Sequence, residues 1–544
     1  MQNSGVRSAD LTRAPANRFC TNRIGKAEYL LNVLELSGKT STNDSEFMVL
    51  RIFLTGFDPM NRFPILAISM LLAVSITTAN AREPQIQRPS MAGSKPNILF
   101  LFADDQCFET IAALKMTDIE TPNLDRLMHR GTLFSHAYNM GSWSGAVCVA
   151  SRTMLITGRS VWDAERVYNT TDKERKAGVL WPQLMKKAGY RTYMTGKWHI
   201  QTDASKVFEM TKDVRGGIPK ESPEAYNRPQ TGKPDPWNPS DTKLGGFWEG
   251  GKHWSEVVAD NTCEFFSDAE KHEAPFFMYV AFNAPHDPRQ SPQEYLDRYP
   301  LDRIQVPGNF LPEYPFKDSI GCSASLRDEK LGPFPRTEHA VKVHRREYYA
   351  LITHLDAQIG RILDALEASG EMDNTWIFFT ADHGLALGHH GLFGKQNLYD
   401  HSVRVPFIVA GPGVKASQRL NTPIYLQDIM ATTLELAGAD RPDHVFFKSL
   451  LPHLDETSTA LPYPEIYGAY LELQRSITVD GFKLIAYPEA KVLRLYDLKG
   501  DPAETLDLGS MDGHSIRKKE LLQRLIELQD SLGDPLNLTE VFRD

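Results

Sequence analysis

The sequence predicts an α/β protein: a large mixed, mostly parallel sheet flanked by helices, then a smaller α+β subdomain with an antiparallel sheet. Three observations carry this. Asn97-Ile-Leu-Phe-Leu-Phe102, Pro275-Phe-Phe-Met-Tyr-Val-Ala-Phe282 and Thr375-Trp-Ile-Phe-Phe-Thr380 are unbroken apolar runs. That is the pattern of strands buried on both faces, which favours a parallel sheet. Helically spaced segments separate the runs, and such alternation places helices over a sheet with active residues at the strand ends. From about residue 446 the pattern shifts to short strands joined by tight turns.

The elements follow in order. Met60-Asn-Arg62, the apolar run from Phe63 to Ile76, and Ala79-Asn80-Ala81 form the basic, apolar and small-residue parts of a secretory signal. The run is short for a membrane span, which needs roughly 20 residues, so no stable span is expected. A signal at 60–81 implies that translation starts at Met60, that 1–59 is a disordered upstream extension, and that the product is exported, periplasmic or extracellular. Residues 82–95 read as a linker with Pro84 and Pro89.

A catalytic domain is expected over 96–445. Thr121-Pro-Asn-Leu-Asp-Arg starts a helix, with Thr121 as N-cap and Pro122 at the first helical position. Trp181 to Lys187 is helical and hands over at Gly189 to a strand at Arg191–Met194. Glu347 to Leu366 carries Leu351, Leu355, Ile359, Ile362 and Leu366 at helical spacing. Lys206 to Gly251, rich in Pro, Gly and charge, reads as a surface insertion and candidate substrate loop. In the C-terminal subdomain, 446–544, Arg475–Val479 and Phe482–Tyr487 flank Asp480-Gly481 as a hairpin. Val492–Asp497 adds a strand, and Ser515–Leu532 an amphipathic helix with Leu521, Leu525, Leu528 and Leu532 on one stripe.

Composition excludes some classes. The 544 residues suffice for a large core, and a formal charge of −9 with no long basic run argues against nucleic acid as partner. The five cysteines, Cys20, Cys107, Cys148, Cys263 and Cys322, form neither a disulfide framework nor a zinc spacing. Cys263 and Cys322 remain candidates for pairing in an oxidising compartment, and Cys107 reads as structural or near the pocket rim rather than catalytic.

Two strand ends carry acid. Asp104-Asp105 follows the first buried run and Asp382-His383-Gly384 the third. Adjacent carboxylates there need a cation or solvent. Taken alone, the pair fits a solvated turn or a helix cap better than a cation site. Two such ends in one parallel sheet can converge, and hard oxygen ligands favour Ca²⁺ or Mg²⁺ over zinc.

Cys148-Val-Ala-Ser151-Arg152, running on into Leu155-Ile-Thr157-Gly158-Arg159, closely resembles the signature of the type I sulfatases. That family oxidises the cysteine to formylglycine, whose hydrate is the nucleophile. The family usually has Pro where Ala150 stands. Asp104-Asp105, the Thr121-Pro-Asn-Leu-Asp-Arg helix, Thr195-Gly196-Lys197-Trp198-His199, Asn283-Ala-Pro285-His286, Asp382-His383-Gly384, Gly394-Lys395, Leu495-Tyr-Asp-Leu and Asp501-Pro-Ala-Glu504 occur in the family's order. The resemblance covers roughly 95–510 and implies the alkaline-phosphatase-like sandwich. It implies Asp104, Asp105, Asp382 and His383 as ligands of one Ca²⁺, completed by the modified Cys148. Arg152 would hold the hydrate, and Lys197 and Lys395 would grip sulfate oxygens. His199 would take a proton from the second hydroxyl, expelling sulfate, and His286 would serve the ester oxygen as hydrogen-bond donor or general acid.

The resemblance implies an exported sulfatase acting on a carbohydrate sulfate, a polysaccharide or glycosaminoglycan fragment, after conversion by a formylglycine-generating or sulfatase-maturating enzyme. Gly388 to Tyr399 is similar to the iduronate- and choline-sulfatase side of the family. Two rivals stand beside this: phosphodiester or phosphonate monoester hydrolysis on the same scaffold, and a non-catalytic sulfated-glycan binder in which Ala150 leaves Cys148 unconverted. His389-His390 reads as a loop feature rather than a metal pair, and His253-Trp254 as a helix start. Asp163 and Tyr168 carry no assignment.

Overall fold

The computed structural model describes residues 95–543 except 221, and two short antiparallel strands, Ser41–Thr42 and Ser45–Glu46, in a separate N-terminal unit. The signal at 60–81 and the linker up to residue 94 lie outside the described residues.

The main unit is built on a nine-stranded sheet. Its centre is β1 (Asn97–Ala103), buried along its whole length. The strands that follow in the sheet are β2 (Thr132–Tyr138), β4 (Arg191–Lys197), β5 (Met210–Arg215), β6 (Phe276–Ala281), β7 (Thr375–Ala381), β8 (Arg404–Val405), β9 (Phe407–Ala410) and β10 (Gln418–Tyr425). The label β3 belongs to Gly141–Ser142, which joins another sheet. β1 pairs parallel with β6 on one side (Ile98↔Phe277) and with β7 on the other (Asn97↔Thr375). β4 continues parallel beyond β6, and β5 closes that edge. Past β7 the sheet turns mixed: β9 runs antiparallel to β7, β2 antiparallel to β9, and β10 parallel to β2. The three apolar runs are thus neighbours, every residue of their strands buried, as unbroken hydrophobicity demands.

β5 corrects one expectation. Residues 206–251 are not wholly a surface loop, because Met210–Arg215 pairs with β4 as an edge strand. Its half-exposed, polar sequence carries no buried apolar run, so it left no sequence signal. β2, β8, β9 and β10 likewise went unread. β8 and β9 both pair with β2 and are separated by Pro406, which has no N–H for a ladder.

Helix α1 (Pro122–Arg130) starts where expected, but Thr121 does not cap it through its side chain. Its hydroxyl accepts from Ala112 N instead (2.7 Å). The free N–H groups of Asn123 and Leu124 donate to the Asp356 carboxylate (3.1 and 2.7 Å) from a distant helix. α2 (Val147–Thr157) is buried throughout, and α3 (Trp181–Lys187) matches its expected bounds. α4 (Trp254–Ala269) is capped by His253, whose ring accepts from Ser255 N, so His253 starts a helix as read. α5 (Glu338–Ala368) begins nine residues before the expected start at Glu347, because His344 and Arg345 are buried polar groups that interrupt the apolar stripe.

The C-terminal sheet is antiparallel: β11 (Ile466–Tyr470), β12 (Gln474–Val479), β13 (Phe482–Tyr487) and β14 (Val492–Asp497). Asp480 and Gly481 both have positive φ (53° and 88°), as the predicted hairpin requires. The short strand β3, from just before Cys148, pairs parallel with β11 and completes this sheet. α6 (Ser515–Leu532) packs Leu521, Leu525 and Leu532 against it. Cys263 and Cys322 are both free thiols, so the candidate disulfide is not formed. Cys322 is buried, and its Sγ donates to Gln396 O (3.2 Å).

Candidate active site

The sheet sets the geometry. Asp382 N donates to Ala103 O (3.2 Å) and Asp104 N to Ala284 O (3.1 Å), so hydrogen bonding continues past the ends of β1, β6 and β7. This places Asp104, Asp105, Asp382 and His286 side by side. Asp105 takes a left-handed backbone (φ 67°), uncommon outside glycine but tolerated by Asp. Two contacts hold it there: Asp105 N donates to Asp382 Oδ1 (3.1 Å), and Tyr348 Oη donates to Asp105 O (2.6 Å).

Cys148 enters from above at the start of α2, where unpaired backbone N–H groups favour negative charge. It is 3% exposed. Its Sγ donates to Asp104 Oδ1 (3.2 Å) and lies 3.6 Å from Asp105 Oδ1. Asp104, Asp105, Cys148 and Asp382 each present a ligand atom within 4.8 Å of the others, and His286 joins Asp104 and Cys148 in an overlapping group. His383 is in neither group; its Nδ1 sits 3.1 Å from Gly384 O. Four of the five expected ligand residues, Asp104, Asp105, Cys148 and Asp382, are thus brought together, with His383 adjoining Asp382 in sequence.

Three cations match three carboxylates, all buried. Lys197 Nζ pairs with Asp104, Lys395 Nζ with Asp105 (2.6 Å) and Arg152 Nε with Asp382 (2.9 Å). Lys395 Nζ also reaches Cys148 Sγ (3.1 Å). Arg152 donates to Lys197 O (2.9 Å) and lies 4.5 Å over the Phe102 ring, leaving Nη2 without a partner among the described residues. Lys197 points inward because Gly196 (φ 87°) lets β4 press against β6, where a Cβ would sit 1.8 Å from Ala281 O. That close approach explains the glycine in the Thr195-Gly196-Lys197 motif.

Electrostatics follow from burial. Asp104 is pushed up to about 8 by desolvation and by Asp382, and Asp105 up to about 6 by desolvation, opposed by Lys395. Burial opposes ionisation of Asp382, yet Arg152 and both lysines together hold it well below the carboxylate range. Burial, with the carboxylates around it, raises the Cys148 thiol well above its usual value. His199 is lowered to about 3 by burial and by Lys197, Arg152 and Lys395, so it is a neutral base, and its Nδ1 has no partner among the described residues. Burial likewise keeps His286 neutral. Its Nδ1 donates to Asp287 O (2.8 Å), which turns the Nε2 lone pair toward the cluster, 3.4 Å from Asp105 Oδ2.

The donor set fits a hard divalent cation. Three buried carboxylates converge with ligand atoms within 4.8 Å of one another, and hard oxygen donors suit an oxygen-preferring ion. Asp104, Asp105 and Asp382 would hold it.

Part of the candidate substrate segment reaches this centre, since Asn283 Nδ2 donates to Gly217 O (3.2 Å). His389 and His390 belong to an aromatic stack with Tyr399 and His401, not to the cluster. Cys107 donates to Leu385 O (3.1 Å) and is structural as read. Tyr168 packs near Trp143 (centroids 6.0 Å) and accepts from Gln201 (2.8 Å), joining the Cys148 and His199 segments. Asp163 pairs with Arg166 on the surface. Sequence reasoning missed Tyr348, which hid in the apolar stripe of α5, and Gln396, whose only signal was adjacency to Lys395.

A family model described as Sulfatase matches residues 96–439, and one described as N-sulphoglucosamine sulphohydrolase, C-terminal, matches 388–531. The chain is 25% identical to an N-acetylglucosamine-6-O-sulfatase of Bacteroides thetaiotaomicron over 537 residues, covering 86% of this chain and 91% of the relative. It is 27% identical to a choline-sulfatase of Rhizobium meliloti, covering 77% and 83%. A solved structure in complex with its substrate D-glucosamine-2-N,6-O-disulfate superposes with TM-score 0.63 at 24% identity, covering 81% of this chain and 99% of that one. A phosphonate monoester hydrolase of Agrobacterium radiobacter superposes equally (TM-score 0.63, 19% identity, 80% and 96% covered). At these identities the superpositions speak for the fold.

Proposed function

This chain belongs to the sulfatase family, sulfuric ester hydrolases on the alkaline-phosphatase-like fold, and from that premise we propose that it desulfates a carbohydrate through a formylglycine made from Cys148. The observation that carries the reading is the position of Cys148 within the ring of Asp104, Asp105, Asp382, Lys197, Lys395 and Arg152. The substrate class rests on one relative named for an amino-sugar sulfate and on a structural neighbour solved with a glucosamine disulfate.

When present, the formylglycine hydrate supplies an oxygen nucleophile with a second hydroxyl, and a calcium ion held by Asp104, Asp105 and Asp382 supplies positive charge at the reacting sulfate. The chain's own residues do the rest. Lys197 and Lys395 bind sulfate oxygens, exchanging their present carboxylate partners for the substrate. Arg152 fixes Asp382 and the carbonyl of Lys197, so both face the same point. His199, neutral at pH 7, takes the proton whose removal lets sulfate depart. His286 donates to the ester oxygen from Nε2, which requires protonation that an arriving anionic ester favours. His383, next to Asp382, is the remaining candidate ligand for the ion.

Export through the signal at 60–81 is part of the proposal, as is a maturating enzyme as partner. No helix among the described residues is long and apolar enough to cross a membrane.

The test is the mass of the tryptic peptide from Gly131 to Arg152, from protein made in a host with formylglycine-generating machinery. Conversion of –CH₂SH to –CHO lowers it by about 18 Da. Converted protein is then assayed on sulfated sugars, with a phosphonate monoester alongside. An unmodified thiol while a second sulfatase in the same cells is converted defeats the mechanism. Hydrolysis of the phosphonate alone defeats the substrate class.

A further inference from the structure

We infer that the C-terminal sheet is the template that sets the position of the Lys395 ammonium, with Gln474 as its central positioning residue. This rests on the reading of Lys395 as a sulfate-binding group. Lys395 lies in no helix or strand; the segment from Leu385 to Tyr399 is irregular, and its backbone must be fixed by other means.

The fixing groups come from two sides. Upstream, the buried Glu329 carboxylate accepts from Phe393 N (3.0 Å) and Gly394 N (2.8 Å), and Gln396 Oε1 accepts from Lys395 N (3.0 Å). Downstream, alternate backbone groups are taken by C-terminal side chains. Gln474 of β12 donates to Gln396 O (2.8 Å), Lys483 of β13 donates to Leu398 O (3.2 Å), and Glu504 accepts from Asp400 N (2.6 Å). Lys483 also joins the Asp400 carboxylate (2.5 Å) to Glu504 (2.8 Å). Three successive polar anchors thus descend from one subdomain onto the loop after Lys395 and the start of the short helix that follows it.

Gln474 is fully buried and sits nearest the lysine. Its Nε2 donates to both Gln396 O and Ile320 O, each at 2.8 Å. The opposite amide orientation would set its oxygen against two carbonyls, so the donor role is fixed. The residue it holds, Gln396, donates to Asp328 (2.7 Å) and Gly145 O (3.3 Å), the latter just ahead of Cys148. Gln474 therefore sets the register between the lysine and the segment carrying the cysteine without touching either reacting group.

The test is a double-mutant cycle between Gln474→Met and Lys395→Ala, in converted protein, on one sulfate ester. Met keeps volume and removes both donors. Gln474→Met is expected to lower kcat about 10- to 100-fold, the size of effect a displacement near 1 Å produces, with KM within about threefold of wild type. In the Lys395→Ala background it should add nothing, because its effect passes through the lysine. Wild-type kinetics for Gln474→Met, or a loss that multiplies fully with that of Lys395→Ala, overturns the inference. Should Gln474→Met fail to fold, Glu504→Gln serves the same cycle with the same criterion. If converted wild type hydrolyses no sulfate ester, the underlying reading fails; if wild type is active and the cycle is multiplicative, only the template fails.

Discussion

Removing one oxygen atom from the core should weaken both the fold and the acidic cluster. Tyr348 is fully buried on α5. Its hydroxyl donates to Asp105 O (2.6 Å) and accepts from Cys107 N (2.9 Å), bracketing the left-handed turn that aims Asp105 at Cys148. Tyr348→Phe keeps the ring and leaves a buried carbonyl and a buried N–H without partners. Each orphan costs about 1–3 kcal/mol, so the two together cost about 2–6 kcal/mol. Relaxation of Asp105 toward ordinary φ offsets part of it, since the left-handed geometry itself costs about 1–2 kcal/mol. Urea unfolding followed by fluorescence gives the stability, and a calcium titration of thermal midpoint gives the coupling to the cluster. The expected result is a lower urea midpoint at unchanged slope, with a weaker response to calcium because one carboxylate is no longer aimed. A stability change below about 0.5 kcal/mol with an unaltered calcium response would refute the claim that this hydroxyl holds the turn.

Further outcomes follow from the same geometry. Cys148→Ala should abolish turnover while preserving the circular dichroism spectrum, because the Sγ contacts are few and α2 stays packed; residual turnover above about 1% of wild type contradicts a covalent role. Chelation should lower both activity and thermal midpoint, restored by Ca²⁺ or Mg²⁺, because an ion that binds only the folded chain stabilises it; a midpoint unchanged by chelator speaks against a bound ion. Asp428 is pushed up to about 7 by burial, despite bonds from Tyr463, Lys448 and Tyr425. A raised acid favours folding below the unfolded value of 3.8, and that contribution is lost as pH rises through 7, about 4 kcal/mol in all. Asp428→Asn should therefore flatten the fall in stability between pH 4 and 7; an unchanged slope, measured by urea titration at each pH, counts against it.

Much of the architecture was legible because burial writes itself into composition. β1, β6 and β7 are apolar on both faces, and α3, α6 and the β12–β13 hairpin carry their period and turn residues openly. The strands that escaped, β2 and β5 among them, mix polar and apolar residues or sit at an edge, where packing rather than pattern decides. At the site, the acid-bearing strand ends announced themselves, but the neighbour of each charge did not. The ring orientations of His286 and His383, held by Asp287 O in one case and Gly384 O in the other, have no counterpart in the sequence pattern. Tyr348 could not be told from core, because in a buried stripe its hydroxyl has no separate signal.

The short strand β3 has a consequence in time as well as space. It leaves the ribosome just ahead of Cys148, yet its partner β11 and the anchors Gln474, Lys483 and Glu504 emerge only near the end of synthesis. The stretch between Cys148 and Glu504 takes on the order of 20–70 s to translate at 5–20 residues per second. Throughout that interval the cysteine belongs to a chain whose last sheet does not yet exist, whereas in the finished protein it is closed to any other macromolecule. A strand borrowed across the sequence thus ties the segment just ahead of Cys148 to the last sheet of the chain to be made.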